Sequence, residues 1–219
     1  MISEIQFIDN GDGLSLRDMV YASIKKAIMN GTLAPGDRIM EIPISKQMGV
    51  SRTPVRDAIK CLEKEKLVTI KAGCGARVAS ISEVDVLSTL SVRVTLEEMS
   101  VRLACENINE VGIAKLRKIH EELSTAVNND DVIAIHDRDS CFHKTLSEIG
   151  GNGVLTHVIE FLENEIIRYR VEYLKNTDAR YVILEEHRAL IDALENRDVD
   201  LCVAIITDHI NKQKKHLIK

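Results

Sequence analysis

The stretch "VSRTPVRDAI", residues 50–59, decides how the first part of the chain folds. Ser51 has the side chain of a helix N-cap, and Pro54 falls in the first turn behind it, where a missing backbone N–H costs least. Val50 before the cap and Val55 at the fourth helical position have the spacing of a hydrophobic staple, which fixes the angle at which the chain enters the helix. Val55, Ala58, Ile59 and Leu62 continue at i, i+3, i+4 and i+7, so one face is committed to a core. Arg52, Arg56 and Lys60 lie on the opposite face. On an isolated helix such a face is ordinary solvated surface, and its neighbours decide its meaning.

Upstream, Leu16, Val20, Ile24, Ala27 and Ile28 predict a helix over 16–29, stopped by Asn30-Gly31. Pro35-Gly36 predicts a turn followed by a short extended piece. A brief helix over about 43–48 ends at Gly49, and the helix opened by Ser51 runs to about Lys66. Downstream, "LVTI" (67–70) and "ARVAS" (76–80) are β-prone runs around "KAGCG", where Gly73 and Gly75 permit a tight hairpin. Helix, short strand, helix, helix and two-stranded hairpin are the parts of a winged helix-turn-helix. In such a module, arginines near the start of the second helix can reach guanine O6 and N7, while the helix N-terminus and wing face phosphates.

Charge divides the chain at the same place. Residues 1–80 hold 12 Lys+Arg and 9 Asp+Glu, whereas residues 81–219 hold 17 and 25, so a net charge of −5 conceals a basic module joined to an acidic one. That division fits a polyanion binder with a separate second function. The 5 cysteines (Cys61, Cys74, Cys105, Cys141, Cys202) contain no CxxC pair, and the N-terminus lacks a secretory pattern, which points to a reducing, cytoplasmic setting. No apolar run approaches the roughly 20 residues of a membrane span. Residues 1–13, ending in "DNGDG", read as a flexible leader, 14–80 as the winged module and 81–219 as an all-α domain.

Beyond Ser82 strand signals vanish. Helical segments are predicted at about 83–90, 92–107, 111–127, 130–149, 153–175, 178–196 and 198–217, an antiparallel bundle of six to seven helices, with six plus a linker helix preferred. Within it Asp139 and His143 are i, i+4 and leave one helix face. His187 and His209 lie 11 residues either side of a turn near position 198, which brings them to the same height in a helical hairpin. Three imidazoles and a carboxylate could then converge on a borderline metal, with His136 a rival ligand on the same face as Asp139 and His143. His120, His157 and His216 have no matched partners and are read as surface.

Two resemblances sharpen these readings. "LAPGDRIMEIPISKQMGVSRTPVRDAIKCLEKEKLVTIKAGCGARVA" resembles the winged helix-turn-helix of GntR-type bacterial transcription regulators, with similarity over about residues 14–80. It implies operator contacts from Arg38, Ser51, Arg52, Thr53, Arg56 and Lys60, and a wing at Gly73, Gly75 and Arg77 along the minor groove. Where the family often has a charged or polar residue leading into the first helix of the motif, this chain has Ile42-Pro43-Ile44, so a contact often made there is not carried over. "RVTLEEMSVRLA" (93–104), "DSCFHKTL" (139–146), "EEHRALIDALENRDVD" (185–200) and "ITDHI" (206–210) resemble the FCD-type ligand-binding domain of one GntR subfamily.

That second resemblance implies a divalent metal, zinc first with nickel or manganese as alternatives, held by Asp139, His143, His187 and His209. It also implies a small carboxylate effector and an effector contact at Arg93, whose other reading is a salt bridge to Glu97 one turn away. The expected protein is a homodimer that binds a double-stranded DNA operator and no membrane. Metal-dependent catalysis at the same site, or sensing of the metal itself, are the alternatives. Catalysis is disfavoured because no additional general base accompanies the four ligands.

Overall fold

The computed structural model describes Ile5 and residues 15–29, 31–71, 75–80 and 82–217, and the chain divides into two compact units, the second beginning at Ser82. The first contains α1 (Leu16–Met29), β1 (Arg38–Ile39), α2 (Glu41–Met48), α3 (Arg52–Lys64), β2 (Val68–Lys71) and β3 (Gly75–Val78). Val20, Ile24 and Ile28 of α1 and Val55, Ala58, Ile59 and Leu62 of α3 are buried, so the apolar ladder of the opening stretch forms part of this unit's core. Gly49, at φ 66°, closes α2 in the left-handed conformation that favours glycine and makes the turn into α3.

Two local details depart from the sequence reading. Ser51 occupies the N-cap of α3 with extended backbone, yet its hydroxyl makes no capping hydrogen bond. The residue three positions on is Pro54, which has no N–H to donate. The wing, expected as a two-stranded hairpin, is a three-stranded antiparallel sheet of order β1-β3-β2. In it Arg38 faces Arg77 and Ile39 faces Ala76. A strand of 2 residues has no periodicity to read. Gly73 and most of the leader lie outside the described residues. Ile5 of that leader is 2% exposed, and its carbonyl accepts a hydrogen bond from Gln47 Nε2 at 3.0 Å.

The second unit is a bundle of six helices among the described residues: α4 (Glu83–Asn107), α5 (Glu110–Asn128), α6 (Val132–Ile149), α7 (Gly153–Tyr173), α8 (Thr177–Glu195) and α9 (Val199–Leu217). The break expected near position 91 does not exist. Ser88 and Ser91 bond back to the carbonyls of Val84 and Leu87, so α4 continues through its serines for 25 residues. Ser82, Asn109, Asp131, Asn152 and Asn176 cap the starts of α4 to α8 with side-chain oxygens.

The bundle core is layered. One apolar cluster includes Val101, Ala104, Leu116, Phe142, Leu146, Leu190, Leu194 and Ile206. Another includes Leu90, Leu123, Ile135, Ile166, Tyr169, Ile183 and Ile210. Along α4, α6, α8 and α9 the residues between these clusters are polar yet buried: Arg93, Glu97 and Ser100, then Asp139, then His187, then His209. His143 is buried beside Phe142 on α6. A polar layer inside an aliphatic core is costly unless its groups satisfy one another or hold an ion.

Candidate metal centre and nucleic-acid interface

Asp139, His143, His187 and His209 are all buried, and one ligand atom from each lies within 4.8 Å of the others. His143 Nε2 is 3.3 Å from His209 Nε2, and His187 Nε2 is 3.4 Å from Asp139 Oδ1. His187 is braced by stacking on Phe142, with ring centroids 3.9 Å apart. His136 is also buried, but its Nδ1 turns to Asp137 at 3.2 Å and it is not part of this group. His157 is exposed as expected, whereas His120 is half-buried and the side chain of His216 lies outside the described residues.

Around the four, a second ring of side chains fixes their direction. His209 Nδ1 lies 2.7 Å from Glu186 Oε2, and His143 Nδ1 lies 3.1 Å from Glu97 Oε1. At His209 the carboxylate holds the outer nitrogen and leaves the inner Nε2 as a lone-pair donor, the arrangement metal-binding histidines require, whereas Glu97 lies beside Nδ1 of His143 without a hydrogen bond to it. Lys212 bonds the other oxygen of Glu186, and Arg170 bonds Asp139 Oδ2. Arg93 gives Nε to Glu97 at 3.1 Å and Nη2 to Glu163 at 2.6 Å. Both readings of Arg93 therefore concern one buried group, since its Nη1 has no hydrogen-bond partner.

The electrostatics follow from burial set against these neighbours. Burial works against the Asp139 carboxylate, but the Arg170 charge and the nearby histidines overcome it and hold the group well below the usual range. Burial likewise opposes ionisation of Glu97, and His143 and Arg93 outweigh it, bringing Glu97 down to about 2. His187 is pushed down to about 4 by burial, against the pull of Asp139. The layer thus presents an ionised Asp139 to His187 and His209, whose neutral forms burial favours, the protonation states in which such groups bind metal.

Asp139 Oδ1 and His187 Nε2 are buried atoms without hydrogen-bond partners, and both belong to the four-residue group. Orphaned acceptors at the meeting point of three imidazoles are what a coordinated cation would satisfy, so the residues fit a divalent metal. Glu97, the expected partner of Arg93 at i+4, belongs to the layer. Glu163, Glu186, Arg170 and Gln213 belong to it as well, and sequence spacing does not single them out; the one available signal is that Glu186 is adjacent to His187.

In the first unit, Arg38, Ser51, Arg52, Thr53, Arg56, Lys60 and Gly75 are exposed, and Arg77 is half-buried. Arg52 and Arg56 converge on Glu41, the first residue of α2. Arg77 donates through Nη1 to the Gly36 carbonyl at 2.7 Å and stands opposite Arg38 in the sheet. Like charges at directly opposed positions are unfavourable in a bare sheet, and a polyanion would relieve that repulsion. Gly75, at φ 78°, has the left-handed backbone that glycine tolerates best.

A helix-turn-helix bearing a sheet, followed by a helical bundle, is the architecture of a DNA-binding transcription regulator. Comparison with known proteins agrees. Residues 16–78 match the model of bacterial regulatory proteins of the gntR family, and residues 88–212 match the FCD domain. The chain belongs to the GntR family of DNA-binding transcriptional regulators, in the group that carries an FCD domain.

Among its relatives is the HTH-type transcriptional regulator YdhC of Bacillus subtilis (strain 168), 29% identical over 201 residues that cover 90% of this chain and 88% of that protein. The HTH-type transcriptional repressor RspR of Escherichia coli (strain K12) is 25% identical over 197 residues, covering 90% and 86%. The fold is shared with E. coli McbR/YncC, with a TM-score of 0.73 over 94% of this chain and 98% of that one, at 24% identity. Among the described residues no helix is long and apolar enough to cross a membrane.

Proposed function

We propose that the protein is a homodimeric repressor in which residues 14–80 bind an operator and residues 81–219 sense a small carboxylate anchored by a divalent metal. The observation that carries this reading is the group of four inward-facing ligand atoms, from three helices, in a core that is otherwise apolar above and below them. Three imidazoles and one carboxylate suit zinc first, with nickel or manganese as alternatives. A metal held by Asp139, His143, His187 and His209 would supply a Lewis-acid centre for an anionic oxygen.

The remaining side chains shape the charge of the site. Asp139, Glu97, Glu163 and Glu186 face Arg93, Arg170 and Lys212, so with neutral imidazoles the layer carries one net negative charge, each group counted at its ordinary charge. A dication reverses that sign, and a monocarboxylate then neutralises it. Arg93 and Arg170 each keep a buried Nη1 without a partner, a donor that an effector oxygen can use. Two further features support the rest of the reading. The repressor name of RspR supports repression. Val92 and Met99 on α4 and Val154, Val158 and Phe161 on α7 are exposed apolar side chains that support a homodimer.

In the winged module, Arg52 and Arg56 are the proposed base readers, with Thr53 beside them. Ser51, whose hydroxyl is not used in capping, contacts phosphate together with Lys60. Arg38, Gly73, Gly75 and Arg77 follow the backbone along the wing. The test is a thermal-shift screen of metal-loaded and chelated protein against small mono- and dicarboxylates. A carboxylate should raise the melting temperature of the loaded protein alone. An equal rise in chelated protein, or in metal-treated His143→Ala, would remove the metal from the account.

A further inference from the structure

We infer that Glu41 is a positioning residue for DNA recognition, holding Arg52 and Arg56 so that each presents its terminal edge to a base. This rests on the proposal that α3 reads the operator.

A guanidinium has two edges that can make paired hydrogen bonds: the side edge of Nε with one terminal nitrogen, and the end edge of the two terminal nitrogens. Arg52 meets Glu41 Oε2 through Nε at 3.3 Å and Nη2 at 2.9 Å. Arg56 meets the same carboxylate through Nε on Oε1 and Nη2 on Oε2, both at 3.0 Å. Both arginines spend the side edge, and both keep the end edge, Nη1 with the outer hydrogen of Nη2. That edge makes the paired hydrogen bonds to guanine O6 and N7.

Burial gives the arrangement a direction. The Glu41 side chain is 26% exposed, against 56% for Arg52 and 52% for Arg56, so the carboxylate lies behind the guanidinium groups. A long, flexible arginine loses much of its rotamer freedom on binding, and here part of that loss is already incurred in the free protein. The carboxylate also opposes use of the pair as plain phosphate clamps, because a phosphate drawn close to both arginines would approach Glu41 as well. Glu41 therefore favours reading bases over general attraction to the backbone. Glu41 is held at about 2, with Arg56 the first cause and Arg52 the second, so the carboxylate is charged throughout the physiological range.

The experiment uses full-length protein and duplexes that the wild type selects from a randomised pool. Affinity for a selected duplex and for its scrambled counterpart is measured for wild type, Glu41→Gln, Glu41→Ala, Arg52→Ala and Arg56→Ala, with circular dichroism melts to establish that each variant is folded. Glu41→Gln should lower the ratio of selected to scrambled affinity by about tenfold, while affinity for the scrambled duplex stays equal or rises. Replacing guanines by 7-deazaguanine, which lacks the N7 acceptor, should cost the wild type about tenfold and Glu41→Gln about twofold or less.

If both Glu41 variants keep the wild-type ratio while the arginine variants lose it, the inference fails and the base-reading role of α3 stands. If the arginine variants also keep the ratio, that reading fails as well. An equal rise of both affinities in the Glu41 variants would make the residue a damper of DNA binding and would overturn the positioning role.

Discussion

Nδ1 of His209 lies 2.7 Å from Oε2 of Glu186, and this contact aims Nε2 of the ring into the buried layer of α6, α8 and α9. A carboxylate on the outer nitrogen of a metal-binding imidazole fixes its tautomer and raises its basicity. Glu186→Gln should therefore weaken divalent-metal affinity by about 10- to 100-fold while leaving about one site per chain. Competition against a chromophoric chelator measures this. An unchanged dissociation constant would mean that Glu186 serves only its ion pair with Lys212.

Metal that binds the folded bundle and not the unfolded chain must stabilise it. At a free concentration about 100 times the dissociation constant the gain is about 2.7 kcal/mol, a rise of about 5–11 °C in the melting temperature of a chain this size. Calorimetry with and without a chelator should show this rise for the wild type and a rise of no more than about 1 °C for His187→Ala, on the same scaling.

Alkaline stability has a separate origin. Tyr169 on α7 donates its hydroxyl to the Gln213 carbonyl on α9, and burial pushes the phenol up to about 12 from an ordinary value of 10.0. Because the fold keeps a proton that the unfolded chain releases first, this contribution is complete below pH 10 and lost as pH rises toward 12. Allowing for partial solvent screening, it amounts to about 1–2 kcal/mol. Urea unfolding at pH 9 and pH 11 should show that loss in the wild type and much less of it in Tyr169→Phe. The same pH dependence in both proteins would assign it to other groups.

The opening helix was readable because its signals are local: an apolar ladder, a cap position and a proline in the first turn all lie within a dozen residues. The same holds for α1, which the spacing placed at its observed bounds, and for the 11-residue symmetry of His187 and His209 about their turn. What escaped was non-local or too short. The two-residue β1 joins β3 across 37 to 39 positions of sequence, and Glu41 meets Arg52 and Arg56 from the preceding helix. Glu163, Arg170 and Glu186 reach one buried layer from two helices, and periodicity gives each helix a buried face without saying which faces meet. Ser51 holds the cap position without the cap bond, and the proline three positions on removes one of the two N–H donors such a cap can use.

On the DNA side, Arg52→Ala and Arg56→Ala should each cost about 1–3 kcal/mol at a selected operator and relax base preference at one position. Lys60→Ala should weaken all duplexes alike and reduce the salt slope by about one. Fluorescence anisotropy across a salt series separates the two behaviours. Unchanged operator affinity in both arginine variants would contradict their assignment as base readers.

Metal content shows whether the buried Asp/His layer is a metal centre. Wild type, His143→Ala, His187→Ala and His209→Ala are stripped with a chelator, exposed to equal zinc, desalted and assayed by mass spectrometry. The wild type should hold about one zinc per chain and each variant a small fraction of that, all four proteins remaining helical. Equal zinc in wild type and variants, or none in the folded wild type, would contradict it.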